Sequence, residues 1–206
     1  MRSVYVNEYE VFLRYYERPF WMMLLVGFIC SVGTYYVGLQ FPEVAKQLSA
    51  AIADSMDEQG SMQPPPFQDF LSILSNNLLV GFMIILLGFI PIYGVPFIYG
   101  IISFTAIGVL LSFGKLMGLD VMKLFFAAFV PHGVIEVIPI CYCVAVGMFI
   151  NQQIIKKLFF RKKQTLTINM MIVCSVRSYV YVILPFFMLA AFVEAYITAY
   201  LSKVFL

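Results

Sequence analysis

Long apolar stretches separated by short polar ones dominate the chain. Five stretches are of membrane-spanning length: Phe20–Phe41, Phe70–Ile92, Val95–Phe113, Val121–Ile150 and Met170–Tyr200. A hydrocarbon core about 30 Å thick needs about 20 apolar residues in a helix. In lipid only helices and closed barrels satisfy their own backbone groups, and these runs are too long for barrel strands. The pattern therefore predicts an all-α, polytopic transmembrane bundle of about five spans, occupying residues 20–200.

Three regions depart from that pattern. In residues 1–19, Val4, Val6, Tyr9, Phe12, Leu13, Tyr15 and Tyr16 interleave with Glu8, Glu10, Arg14, Glu17 and Arg18. This predicts an amphipathic helix ended by Pro19, either lying on the cytoplasmic membrane surface or packed against the end of the bundle. The loop 42–69 is acidic and carries Pro64-Pro65-Pro66. A short helix over Val44–Met56 followed by a stiff proline connector fits it. The third region is the fourth run, which at 30 residues exceeds the bilayer core and contains Pro131-His132-Gly133 and Pro139. Proline removes a helical hydrogen bond, so the span is predicted to be kinked or broken near Pro131. Pro91-Ile92-Tyr93-Gly94-Val95-Pro96 predicts a tight turn between the second and third spans.

Charge adds an orientation. With the N-terminus inside, eight basic residues (Arg2, Arg14, Arg18, Lys156, Lys157, Arg161, Lys162, Lys163) face the cytoplasm. Four (Lys46, Lys115, Lys123, Lys203) face outward. That asymmetry predicts N-in, C-out, anchored by the basic loop 151–169. Loop 42–69 then lies outside, where it can cap the bundle or meet a partner. Net charge is only +2, which offers no basic face for nucleic acid. Hydrophobic residues make up 62% of the chain and charged residues 12%, as expected where most surface faces lipid. The four cysteines, Cys30, Cys141, Cys143 and Cys174, lie in apolar runs and read as small packing residues. The first apolar run begins too late and is too long for the core of a signal peptide.

Ionisable groups in hydrocarbon are costly and mark candidate sites. Away from the run ends these are His132, Glu136, Arg177 and Glu194, joined by the paired amides Asn76 and Asn77. Counting depth at about 1.5 Å per residue puts Glu136 and Arg177 in an inner layer. The same count puts Asn76, Asn77 and Glu194 in an outer layer, with His132 between the two. His132 and Glu136 share a helix face at i, i+4. Glu136 is expected to be protonated or paired with Arg177 or His132. Arg177 can alternatively snorkel to the inner surface and Glu194 reach outer headgroups, while the asparagines can simply hold helices together. Familiar catalytic frames are missing. There is no HExxH, and the single histidine leaves a conventional zinc site short of ligands, so no metal or cofactor is expected. There is no GxSxG and no GxxxxGKS/T phosphate loop. Gly114 and Gly118 form a GxxxG pair, a signal for close helix packing or dimerisation.

Asn76-Asn77 ahead of a Gly-containing apolar span, Pro131-His132-Gly133-x-x-Glu136, and Ala190-Ala191-x-x-Glu194-Ala195 occur in this order. Together they resemble the stage II sporulation protein M family over roughly residues 20–198. The resemblance implies a multi-pass prokaryotic plasma-membrane protein without established enzymatic activity. Its sporulation member acts with two peptidoglycan-cleaving partners, and wider members are often encoded near ABC transporters. Three functional readings follow. The first is a non-catalytic membrane subunit or scaffold, homodimeric, that organises a partner such as a peptidoglycan hydrolase. The second is the membrane subunit of an ABC-type or other transporter, bound to an ATPase and holding a polar intramembrane cavity. The third is an intramembrane hydrolase built on His132 and Glu136.

Overall fold

The computed structural model describes residues 2–57, 66–159 and 167–205. Among the described residues all regular structure is helical. Five helices are long and apolar enough to cross a membrane: Asn7–Gln40 (span 1), Pro66–Leu87 (span 2), Val95–Leu116 (span 3), Val130–Phe159 (span 4) and Ile168–Leu201 (span 5). Each overlaps one of the five apolar runs, although span 1 begins well before Phe20 and span 4 extends past Ile150.

Span 4 is the axis of the bundle. About two thirds of its apolar stretch is buried, against a third or less in the other four, and it touches all of them. The Cys141–Ile150 segment is buried on every side. A helix apolar all round is what such a central position demands. Aliphatic burial contributes little to helix association in lipid, so close backbone approach and polar contacts must hold the others in place. Span 1 and span 3 meet at Gly108, where a Cβ would fall 2.8 Å from the Tyr35 nitrogen and closer still to the Ser31 carbonyl and Thr34 Oγ1. At that crossing Ser31 Oγ donates to the Phe104 carbonyl at 2.5 Å and Thr34 Oγ1 to the Thr105 carbonyl at 3.2 Å. Spans 2 and 4 make a similar approach where Gly88 meets the Gly147 backbone.

Of the kink or break expected near Pro131, the break is absent: the helix runs unbroken from Val121 to Phe159. Pro131 cannot donate to the Ala127 carbonyl, and its ring would crowd that oxygen. The chain answers with one wide π-helical turn, Phe125–Phe129, closed by the Val130 N–H on the Phe125 carbonyl five residues back. The same device precedes Pro185, at Tyr179–Ile183, and Pro19, at Phe12–Tyr16. Pro139, by contrast, is carried inside the α-helical part of span 4.

Pro19 consequently does not end a separate N-terminal helix. Helix Arg2–Val11 continues through its π turn into span 1. It packs on the bundle: Tyr16 is fully buried, Phe12 stacks on Tyr142 at 5.7 Å, and Tyr15 lies 4.9 Å from Phe149.

The connecting helix spans Pro42–Asp57 and rests on span 3, burying Ala45 and Ser49. The rest of the proline connector, including Pro64 and Pro65, lies outside the described residues, as do Arg161, Lys162 and Lys163 of the basic loop. Between spans 2 and 3, Gly94 adopts φ +89° in the predicted turn. The fully buried Asn151 of span 4 clamps that turn, donating to the carbonyls of Ile90 (2.6 Å) and Ile92 (3.0 Å) and accepting from the Gly94 N–H (3.3 Å). Gly118, at φ +84°, belongs to the turn after span 3 rather than to a helix face. The GxxxG pair is therefore not a helix-dimer motif. Gly114 instead packs against Leu124.

Candidate functional site

The sequence-selected polar residues fall into two groups, and the grouping is not the predicted one. Arg177 is not in a layer with Glu136. It pairs with Glu8, through Nε to Oε1, from the helix that leads into span 1. The second Glu8 oxygen accepts from Ser178 Oγ at 2.9 Å, and Tyr16 stands 3.4 Å from the same hydroxyl. The π turn Phe12–Tyr16 and the packing of Tyr16 on Tyr142 bring this strip of span 1 against span 5. Depth counting could not anticipate the pair, because it treated residues 1–19 as lying outside the bundle. Glu8 is almost fully buried, so Arg177 satisfies a buried carboxylate instead of snorkelling.

With Arg177 committed elsewhere, Glu136 has a different company. His132, Glu136 and Glu194 each offer a ligand-type atom, and the three atoms lie within 4.8 Å of one another. Span 4 supplies His132 and Glu136 one turn apart on one face, as their i, i+4 spacing requires. Span 5 supplies Glu194 from another π turn, Val193–Thr198, in which the Ala199 N–H bonds the Glu194 carbonyl five residues back. No proline accompanies that wide turn. π turns of this kind are common at functional sites, where they re-aim side chains. Thr198, buried at the end of the same turn, stands 3.2 Å from His132 Nδ1. The predicted outer layer is thus corrected: Glu194 joins Glu136 and His132. Straight-helix counting missed this because it ignores both helix tilt and the two π turns on either side of the site.

The asparagine pair divides. Asn76 is exposed, whereas Asn77 is buried at 8% exposure, with its amide against the Glu136 carboxyl. Its Nδ2 nevertheless makes no hydrogen bond of normal geometry, which is unusual for a buried donor. Asn76, Asn77, His132 and Glu136 line one cavity of about 480 Å³ between spans 2, 3 and 4, otherwise walled mostly by apolar side chains such as Phe104 and Phe129. Gly133 opens onto it and takes the edge of the Phe129 ring where a side chain would stand, with a Cβ only 2.6 Å from that ring. Pro131 shapes the site through the turn before it, and Pro139 lies buried two turns beyond His132.

Among the described residues, neither Glu136 nor Glu194 has a Lys or Arg ion-pair partner. Two partly buried carboxyls this close, without a cation beside them, favour holding a proton or drawing in a positive ligand. Thr198, Glu8 and Asn151 were missed as members of polar networks. The available signal was their register: Thr198 is four residues after Glu194, and Asn151 falls within an apolar helix.

No curated protein and no solved structure matches the chain. A family model does, that of stage II sporulation protein M, over residues 20–199. With its five apolar helices and this match across most of its length, the chain belongs to the stage II sporulation protein M family.

Proposed function

We propose that this protein is a non-enzymatic membrane subunit of a transport system whose intramembrane pocket receives a small hydrophilic solute. The observation that carries the reading is the cavity of about 480 Å³ walled by Asn77, His132 and Glu136 in the body of the bundle. Polar groups cost free energy at that depth, and a protein that only held helices together would pair them fully. The Asn77 amide, set against Glu136 without a hydrogen bond of normal geometry, favours a pocket with work to do over a packing motif.

A scaffold role is supported by a different feature. The connecting helix Pro42–Asp57 leaves Val44 and Leu48 half exposed, one turn apart, beside the exposed Glu43 and Lys46. An apolar ridge flanked by charged side chains suits a partner outside the bundle. Gentle solubilisation from native membranes, followed by mass spectrometry, separates the two readings. Stoichiometric recovery of a nucleotide-binding subunit is expected. Recovery of a cell-wall hydrolase instead, lost on deleting residues 42–57, would replace the transport reading with the scaffold. The pocket is tested by Ser103→Cys, placed in its wall. A small water-soluble thiol reagent should label it in intact membranes, and absence of labelling would mean that the cavity is closed to hydrophilic solutes.

A further inference from the structure

We infer that His132, Glu136 and Glu194 form a binding site for a first-row divalent transition-metal ion, with its open coordination position turned to the cavity. This deepens the transport reading by naming the class of solute, and it rests on that reading of the cavity as a binding site.

Charge makes the first argument. Two partly buried carboxylates close together repel each other and lose part of their hydration, and Arg177 is held by Glu8. One divalent cation neutralises both carboxylates at once, leaving the cluster without net charge. Geometry makes the second. A tetrahedral ion with bonds of about 2.0–2.2 Å needs its ligand atoms about 3.4 Å apart. The three ligand-type atoms already lie within 4.8 Å of one another, no more than about 1.4 Å wider than that spacing. The ligands come from two helices, spans 4 and 5, that are packed against each other.

The surroundings of the three ligands supply what a metal site requires. Metal-bound histidines usually donate their second ring N–H to a neighbour, which fixes the tautomer and aims the free nitrogen. Thr198 Oγ1, 3.2 Å from His132 Nδ1, is such a neighbour; with Nδ1 donating, Nε2 is left as the ligand atom. The orphan Nδ2 of Asn77 is the second sign of a missing partner. It is more than nine-tenths buried, lies against Glu136 and lines the same cavity. A water or other oxygen donor in the open coordination position would accept its hydrogen bond. One imidazole and two carboxylates suit Zn²⁺, Mn²⁺ or Fe²⁺; Mg²⁺ favours all-oxygen octahedral surroundings and should compete poorly.

The test uses the full chain, purified in mild detergent, stripped with a chelator and dialysed against micromolar Zn²⁺ or Mn²⁺. Bound metal is then counted by elemental mass spectrometry. One ion per chain is expected, undiminished by a large excess of Mg²⁺. Glu136→Gln and Glu194→Gln should each lower affinity at least about tenfold. Thr198→Val, which touches no ligand atom, should lower it by about 10–100-fold through the histidine. Size-exclusion profiles show whether each variant folds. Binding of Co²⁺ to the unmodified protein is an independent measurement, through the ligand-field bands of a low-coordinate nitrogen–oxygen site. Absence of stoichiometric metal and of cobalt bands in the unmodified protein would overturn the inference. Metal binding that survives both glutamine variants would do the same. If Ser103→Cys is labelled while no metal binds, the pocket stands and only its ligand class is wrong. If it is not labelled, the transport reading falls on its own evidence, whatever the metal count.

Discussion

At the scale of single residues, the bundle depends on a few polar side chains that satisfy backbone or charge where water is absent. Asn151 is the clearest case, since one amide serves two carbonyls and one N–H of the turn between spans 2 and 3. Each buried group left without a partner costs about 1–3 kcal/mol. Asn151→Ala should therefore destabilise the protein by about 2–5 kcal/mol, partly relieved where water reaches the turn. Thermal unfolding in detergent, followed by intrinsic fluorescence, should show a clear drop in midpoint, and an unchanged midpoint would remove Asn151 from that role. The residue was hard to pick out in the sequence because one polar position at the end of an apolar run reads as the start of a loop. His132 and Glu136 were easier: their spacing within a proline-marked apolar run identifies both as neighbours and as costly. Glu8 sat in plain view, but its partner lies 169 positions away, and no local pattern reports such a distance.

At the scale of elements, the span boundaries were legible because length and hydropathy alone decide which segments can cross a bilayer. The wide turns were not legible. A π turn adds one residue to a helical turn without altering composition, so Val193–Thr198 leaves no trace in the sequence, although it carries both Glu194 and Thr198. Prolines gave a partial signal: Pro131 suggested a kink or break and Pro19 a helix end, whereas the helix continues through a widened turn before each. Helix crossings were equally hidden, because the sequence does not say which glycine faces a neighbouring backbone. Gly108 and Gly33 make the contrast testable. A Cβ at Gly108 would strike the span 1 backbone, whereas at Gly33 it would meet nothing within 4 Å. Gly108→Ala should cost about 1–3 kcal/mol by forcing spans 1 and 3 apart. Gly33→Ala should instead stabilise by about 0.5–1 kcal/mol, since glycine is the poorer helix former. Paired unfolding measurements check the sign of each. Equal effects at the two positions would mean that the crossing is not held by backbone contact.

At the scale of the whole molecule, five spans put the two ends of the bundle's chain path on opposite faces, and the arrangement of charge then selects the face. Arg14, Arg18 and Lys156 line one cavity with Tyr93 and Gly94, so the start of span 1, the end of span 4 and the turn between spans 2 and 3 share an end. Gly118 and Asp120, in the turn after span 3, mark the other end, beside the connecting helix. Positively charged loops are retained in the cytoplasm. The end with Arg14, Arg18 and Lys156 should therefore face inward, and the Asp120 turn outward. Single cysteines at Tyr93 and Asp120, in a background where the four native cysteines are serine or alanine, test this in intact cells. A membrane-impermeant maleimide should label Asp120→Cys directly and Tyr93→Cys only after permeabilisation. The reverse pattern would invert the topology and move the connecting helix, with its exposed Val44 and Leu48, to the cytoplasmic side. That result would also change what the scaffold reading requires, because a cell-wall partner could no longer reach the ridge. The proposed metal site would be untouched, since His132, Glu136 and Glu194 lie in the bundle whichever way it faces. Only the side from which the cavity takes up its ion would need to be assigned afresh.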